Sequence, residues 1–182
     1  MRLFVAIDIP AEIKDALRCF VDRLRPTAKI GWSPFDNLHI TTKFIGEWPE
    51  PRLNEVKRTL TSVPVTGAID ITVKGLGWFP NPRRPRIFWA GVEGGEPLRA
   101  LARATERAVG ELGVPIEERI YSPHLTLARV REAVPLERLH QTIESFPAGC
   151  GFDFGSFSAT QFFLYLSAGG KYTQLAGFPL DQ

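Results

Sequence analysis

The sequence predicts an α+β or α/β protein of two similar lobes whose sheets face each other about a pseudo-twofold axis. Three observations lead there. Strand-like runs alternate with helices of modest length along the 182 residues. The order β-α-β-α-β occurs twice, over roughly residues 1–80 and 85–170. The offset between the copies is nearly constant, with Phe88 following Phe4 by 84 residues and His124 following His39 by 85. Self-similarity at a fixed period marks an internal duplication, and strands alternating with helices restrict the layers that can form. A site belongs where the halves meet.

The elements follow from hydrophobic period. Residues 2–9 (RLFVAIDI) are a buried strand. Pro10 suits the first turn of the next helix, whose apolar face is Ile13, Leu17, Phe20 and Leu24. After the loop 32–37, a second strand covers Leu38 to Gly46, and a second helix aligns Leu53, Val56, Leu60 and Val63. Residues 68–79 alternate as a third strand. The second copy opens with 86–92 (RIFWAGV). Its first helix turns Leu98, Leu101, Thr105, Ala108 and Leu112 inward. A strand around His124 follows, then a helix with Leu136, Leu139, Ile143 and Phe146 inward, then the strand 160–167.

Composition bounds the function less tightly. A 44% hydrophobic chain of this length can bury one sizeable core. No window approaches the roughly 20 apolar residues of a membrane span, and the opening MRLFVAIDIP reads as a strand entering a helix, not a signal peptide. Cys19 and Cys150 form neither a disulfide framework nor a metal-ligand spacing, so a reducing cytoplasm is expected. The net charge of +2 suits an anionic partner without requiring one. Without coiled-coil heptads or an exposed apolar helix, a monomer is expected.

All three histidines are followed two residues later by threonine: His39-Ile40-Thr41, His124-Leu125-Thr126 and His140-Gln141-Thr142. On a strand, residues i and i+2 share a face about 6.6 Å apart, so imidazole and hydroxyl stand together. On a helix they point nearly opposite ways. The first two pairs lie in strands at equivalent places of the repeats; the third lies in a helix and is coincidental. Histidine gains and loses a proton near neutral pH, so a facing pair can act as general acid and general base. Threonine hydroxyls beside them can donate to oxygens that carry negative charge in a phosphoryl transition state. Two histidines without a third ligand at suitable spacing make a poor zinc site, so neither metal nor cofactor is expected.

The runs RLFVAID, NLHITTKFIGE, FPNPRRPRIFWAGV and SPHLTLARV, with the closing FFLYLS, YTQL and FPL, resemble the RNA 2′,3′-cyclic phosphodiesterases, also called 2′-5′ RNA ligases, of the 2H phosphoesterase superfamily. The likeness spans essentially the whole chain. It implies a bilobal α+β fold with mainly antiparallel sheets around a central cleft. It implies opening of a 2′,3′-cyclic phosphate at an RNA end, tRNA-like fragments included, to leave a 2′-phosphate, and ligation as the reverse. By the resemblance, His39 is the proton donor to the departing O3′, His124 is the proton acceptor that activates water, and Thr41 and Thr126 hold the phosphate. The residues alone leave donor and acceptor interchangeable.

The resemblance also points to Arg129, five residues after His124, as a phosphate or base contact. Strict alternation puts it on the face opposite His124, so it reaches the cleft only if the strand ends, twists or bulges first. Lys43 shares the parity of His39 and Thr41 and could lend the cleft positive charge, with snorkelling from the strand end to water its default role. Phe4 could stack on a terminal base, with core packing its default role. Arg83, Arg84 and Arg86 sit in a proline-stiffened loop joining the repeats, suited to an RNA backbone or simply solvated, and the tail from Ala168 to Tyr172 could form a lip. Two rivals compete with an RNA enzyme: a 2H phosphoesterase for a small cyclic nucleotide, and a non-catalytic RNA-binding module.

Overall fold

The computed structural model describes residues 1–65, 67–147 and 151–181; Cys150 lies outside them. Nine strands and four α-helices are defined: β1 (Arg2–Asp8), α1 (Ala11–Leu24), β2 (Gly31–Trp32), β3 (His39–Glu47), α2 (Leu53–Thr61), β4 (Ile69–Phe79), β5 (Ile87–Glu93), α3 (Gly95–Gly110), β6 (His124–Arg129), α4 (Glu137–Glu144), β7 (Asp153–Ala159), β8 (Gln161–Ala168) and β9 (Lys171–Pro179). They build two sheets, ordered β3-β1-β8-β9 and β2-β6-β5-β4-β7. Every described pairing is antiparallel. Among the described residues no helix is long and apolar enough to cross a membrane.

The expected helices form where the period placed them. Ile13, Leu17, Phe20 and Leu24 of α1 are buried, as are Val56 and Leu60 of α2 and Leu98, Leu101 and Thr105 of α3. Each helix lays its apolar stripe on a neighbouring layer: α1 against β7, α3 against β3, and α2 against α3 and β9. The short α4 fully buries only Leu139. Three strands were not expected. Two-residue β2 carries too little pattern to see. The glycines and alternating phenylalanines of 152–159 form β7, and the presumed tail forms β9, the second strand of a hairpin. The hairpin turn is Gly169-Gly170, both at positive φ (57° and 77°), a combination that favours glycine at both centres of a tight turn.

The halves read in the sequence do not each own a sheet. β4, from the first half, lies in the second sheet beside β5, and β8, from the second half, lies in the first sheet beside β1. Pairing register also corrects the alignment of the copies. Val5 pairs with Lys43 and Phe88 with Ala128, each next to the same irregularity in the partner strand, so Val5 and Phe88 are counterparts, 83 residues apart. Phe4 and Phe88 therefore face opposite ways. Phe88 is fully buried, stacked on Trp78 with centroids 4.5 Å apart.

Candidate active site

β3 and β6 approach each other across the two sheets, which brings the His39 and His124 strands to one cleft. The Tyr121 hydroxyl, just before β6, donates to the Thr41 carbonyl of β3 at 3.0 Å, and the Ser33 N–H donates to the Leu127 carbonyl at 2.9 Å. His39, Thr41, His124 and Thr126 are all partly exposed, between the buried Ile40 and Leu125 and their neighbours. That is the period-two pattern of a strand with one wet face.

Each imidazole is held by the same local device. Nδ1 of His39 lies 2.6 Å from the Asn37 carbonyl oxygen, and Nδ1 of His124 lies 2.7 Å from that of Ser122. A carbonyl only accepts, so in each neutral ring Nδ1 carries the proton and Nε2 keeps its lone pair for chemistry. The Asn37 side chain extends this support, donating to the Gly170 carbonyl at 2.8 Å and so tying the hairpin turn to the histidine loop.

The two surroundings differ. Around His39 stand Phe4, at 4.6 Å between centroids, and Tyr172, edge-on at 5.1 Å. Asp8 pairs with His39 across β1–β3 and accepts a hydrogen bond from the Tyr165 hydroxyl. His124 pairs instead with Gly91, and Phe79 meets its ring edge-on at 5.0 Å. Burial lowers the His39 imidazole from its ordinary value to about 4, with the Asn37 hydrogen bond and the Asp8 carboxylate acting against it. Burial also lowers His124, opposed by the Ser122 carbonyl and reinforced by Arg129. The Asp8 carboxylate favours the charged form of His39 alone.

The bulge that Arg129 needs is present. Trp89 pairs with Thr126 but Phe88 with Ala128, so Leu127 is an extra residue; Leu127 and Ala128 are both buried, and Arg129 turns out to the face of His124 and Thr126. Its charge acts on both imidazoles. The same bulge occurs in β3, where Ala6 pairs with Thr41 and Val5 with Lys43, leaving Thr42 extra; the Thr42 hydroxyl donates to the Val5 carbonyl at 3.2 Å.

That bulge reverses the parity of the residues beyond it. Lys43 is turned away from the cleft, 6% exposed, and its Nζ meets Glu106 and, at 2.7 Å, the Pro115 carbonyl. Phe44, on strict alternation a residue of the other face, is turned outward and is 59% exposed. Phe4 takes its default core role and does not offer a stacking surface. At 2% exposure it stacks on Tyr165 beneath His39, a buttress for the imidazole with no face free for a base. Trp89, partnered with Thr126, and Phe79 complete the wall on the His124 side. Gly77 is required there, because a Cβ would fall 2.0 Å from the Trp89 ring. Phe44 was legible only through its spacing, five residues after His39 as Arg129 is after His124. His140 stays on α4, 5.6 Å from Trp78. Among the described residues no group of three or more His, Cys, Asp or Glu is placed to hold a metal.

Residues 7–89 and 92–161 match the model of the LigT like phosphoesterase family. The chain is 35% identical over 167 residues to an RNA 2′,3′-cyclic phosphodiesterase of Methanocaldococcus jannaschii, which covers 92% of this chain and 91% of that protein. It is 33% identical over 135 residues to one from Archaeoglobus fulgidus, covering 74% and 76%. In three dimensions it is similar to a Thermus thermophilus crystal structure (TM-score 0.80, 29% identity, 99% and 98% covered). It is likewise similar to Escherichia coli LigT complexed with 3′-AMP (TM-score 0.76, 26% identity, 100% and 98% covered).

Proposed function

This chain belongs to the LigT-like phosphoesterase family of 2H phosphoesterases, and from that premise we propose that it hydrolyses the 2′,3′-cyclic phosphate at an RNA end to a 2′-phosphate. The observation that carries the reading is the pair of imidazoles, each with Nδ1 tied to the carbonyl two residues before it and Nε2 left for proton transfer. The relatives named as RNA 2′,3′-cyclic phosphodiesterases support the substrate.

In the proposed reaction, His124 takes a proton from water as the water oxygen bonds to phosphorus. The P–O3′ bond breaks on the opposite side, and His39 gives its proton to the departing O3′. The product is a 2′-phosphate with a free 3′-hydroxyl, and the proton on His124 is returned through solvent to restore His39. Thr41 and Thr126 donate to the non-bridging oxygens, and Arg129 balances their charge. Asp8 supports the donor assignment, since a carboxylate beside His39 stabilises the imidazolium that an acid must be. With a 5′-hydroxyl in place of water as the nucleophile, the same groups acting in the same direction form a 2′-5′ bond.

The test is incubation, in excess EDTA, with a short RNA ending in a 2′,3′-cyclic phosphate, beside His39→Ala and His124→Ala. Conversion to a 2′-phosphate, lost by about 10²–10⁴ in either variant, is expected. Abolition by EDTA, a 3′-phosphate product, or full activity in either variant would overturn the reading.

A further inference from the structure

The loop between β4 and β5 leaves and rejoins its sheet at the Arg129 end of β6, where Phe79 pairs with Ile87. The ring of Phe79, the last residue of β4, meets His124 at 5.0 Å, and Ile87, the first of β5, pairs with Arg129. Between them the chain is held in one shape. Pro80, Pro82 and Pro85 fix φ, and the Asn81 Oδ1 accepts the N–H groups of Arg83 and Arg84 at 3.0 and 3.1 Å. The Arg86 N–H donates to the Phe79 carbonyl at 2.7 Å, and the Val130 N–H donates to the Arg86 carbonyl at 2.9 Å. The loop is thus pinned to the strand that carries His124, Thr126 and Arg129.

On this frame Arg83, Arg84 and Arg86 are exposed, and none forms an ion pair among the described residues. They line a cavity of about 610 Å³ together with Glu132, Glu137 and His140, from the segment after β6 and from α4. Guanidinium groups on a stiff loop suit phosphate oxygens, because the planar fork is positioned before binding. From His124 to Arg129 is about 16 Å of strand, and the loop lies at the far end. A mononucleotide seated between the histidines does not span that distance; a longer chain does.

We propose that Arg83, Arg84 and Arg86 form a docking site for the phosphodiester backbone of nucleotides on the 5′ side of the reacting end, making the substrate an RNA strand and not a free cyclic nucleotide. This rests on the reading of the histidine cleft given above. Backbone contacts of this kind position a strand without reading its sequence.

The experiment compares wild type with Arg83→Ala/Arg84→Ala on a 2′,3′-cyclic mononucleotide and on oligonucleotides up to an octamer with the same end. The expected result is a kcat/KM that rises with length in the wild type, about a tenfold loss of that gain in the double variant, and equal rates on the mononucleotide. The slope of log affinity against log salt for the octamer should fall by about 1.4, two contacts at about 0.7 each for a single strand. The same length dependence in both proteins overturns the docking site while leaving the histidine chemistry standing. If neither protein turns over the mononucleotide or any oligomer, the cleft reading fails instead. Anisotropy titration of a 3′-hydroxyl octamer then decides the loop: tighter binding by wild type sustains it, and equal affinities overturn it.

Discussion

Phe44 and Arg129 are counterparts: each stands five residues beyond its histidine, and each is turned outward by a one-residue bulge at Thr42 or Leu127. One end of the cleft thus presents an exposed aromatic face and the other a guanidinium. Stacking of a base on an aromatic ring is worth about 1–3 kcal/mol. Phe44→Ala should therefore raise KM for a cyclic-phosphate RNA about tenfold or more with little change in kcat. Arg129→Met should lower kcat by about tenfold or more, as loss of a group that balances transition-state charge. Steady-state kinetics on both variants check the division; equal effects on KM and kcat in the two would contradict it.

The carbonyls of Asn37 and Ser122 dictate the tautomer of both cleft imidazoles. Nitrogen-15 spectra of the histidines at pH 8 should show protonated Nδ1 and bare Nε2 for His39 and His124. A dominant Nε2–H form at His124 would remove the acceptor that the proposed mechanism requires, and at His39 it would contradict the hydrogen bond to the Asn37 carbonyl.

The depressed His39 has a consequence for stability. An unfolded chain binds a proton at this residue near pH 6.5, whereas burial holds the folded ring unprotonated down to about 4. Between those values the unfolded state binds more protons, so folding stability is complete above pH 6.5 and falls as the pH drops towards 4, by an amount on the order of 3 kcal/mol. Urea titrations across this window should show His39→Gln with a shallower dependence on pH than wild type. Parallel curves would refute the burial effect.

Asp8 counters that burial by favouring the charged ring. Asp8→Asn should move the pH optimum of kcat/KM to lower values, because the donor loses its proton more readily without the carboxylate. Tyr165→Phe frees Asp8 from a hydrogen bond and should move the optimum the opposite way. An unmoved profile in both would detach Asp8 from catalysis.

Lys43 and Glu106 test the bulge independently of activity. The lysine is buried with Glu106 and the Pro115 carbonyl as partners, and removing one partner of such a pair strands the other. Glu106→Gln should cost about 3 kcal/mol in chemical denaturation, and Lys43→Met/Glu106→Leu markedly less. A cost under about 0.5 kcal/mol for the single variant would place Lys43 in water.

The histidines and threonines were legible because a side-chain period of two and a duplicated order are properties of sequence. Arg129 was legible only as a conditional, and Phe44 only through its matching distance from His39, because a bulge leaves no composition signal and reverses parity beyond it. Phe4 takes the core role that was its default, while the one-residue error in aligning Phe4 with Phe88 left no hint that these rings face opposite sides of their sheets. β7 and β9 escaped notice because glycines at Gly151, Gly155, Gly169 and Gly170 suggested loop, whereas several serve turns and irregular pairing at strand ends. The arginine loop was visible, but only the fold shows it pinned beside both His124 and Arg129.

The exchange of β4 and β8 between the sheets makes the two copies inseparable. A polypeptide cut near residue 80 would leave β1 without its β8 neighbour and β5 without its β4 neighbour, each fragment exposing a central strand's edge. Neither piece is then a miniature of the whole, and mixing the two should restore what each lacks. On the ribosome the same arrangement imposes an order. β1 emerges first, yet Arg2 pairs with Ser167 and Leu3 with Leu166, so the first sheet closes only when nearly the entire chain has been synthesised, and the most sequence-distant pairing completes the fold.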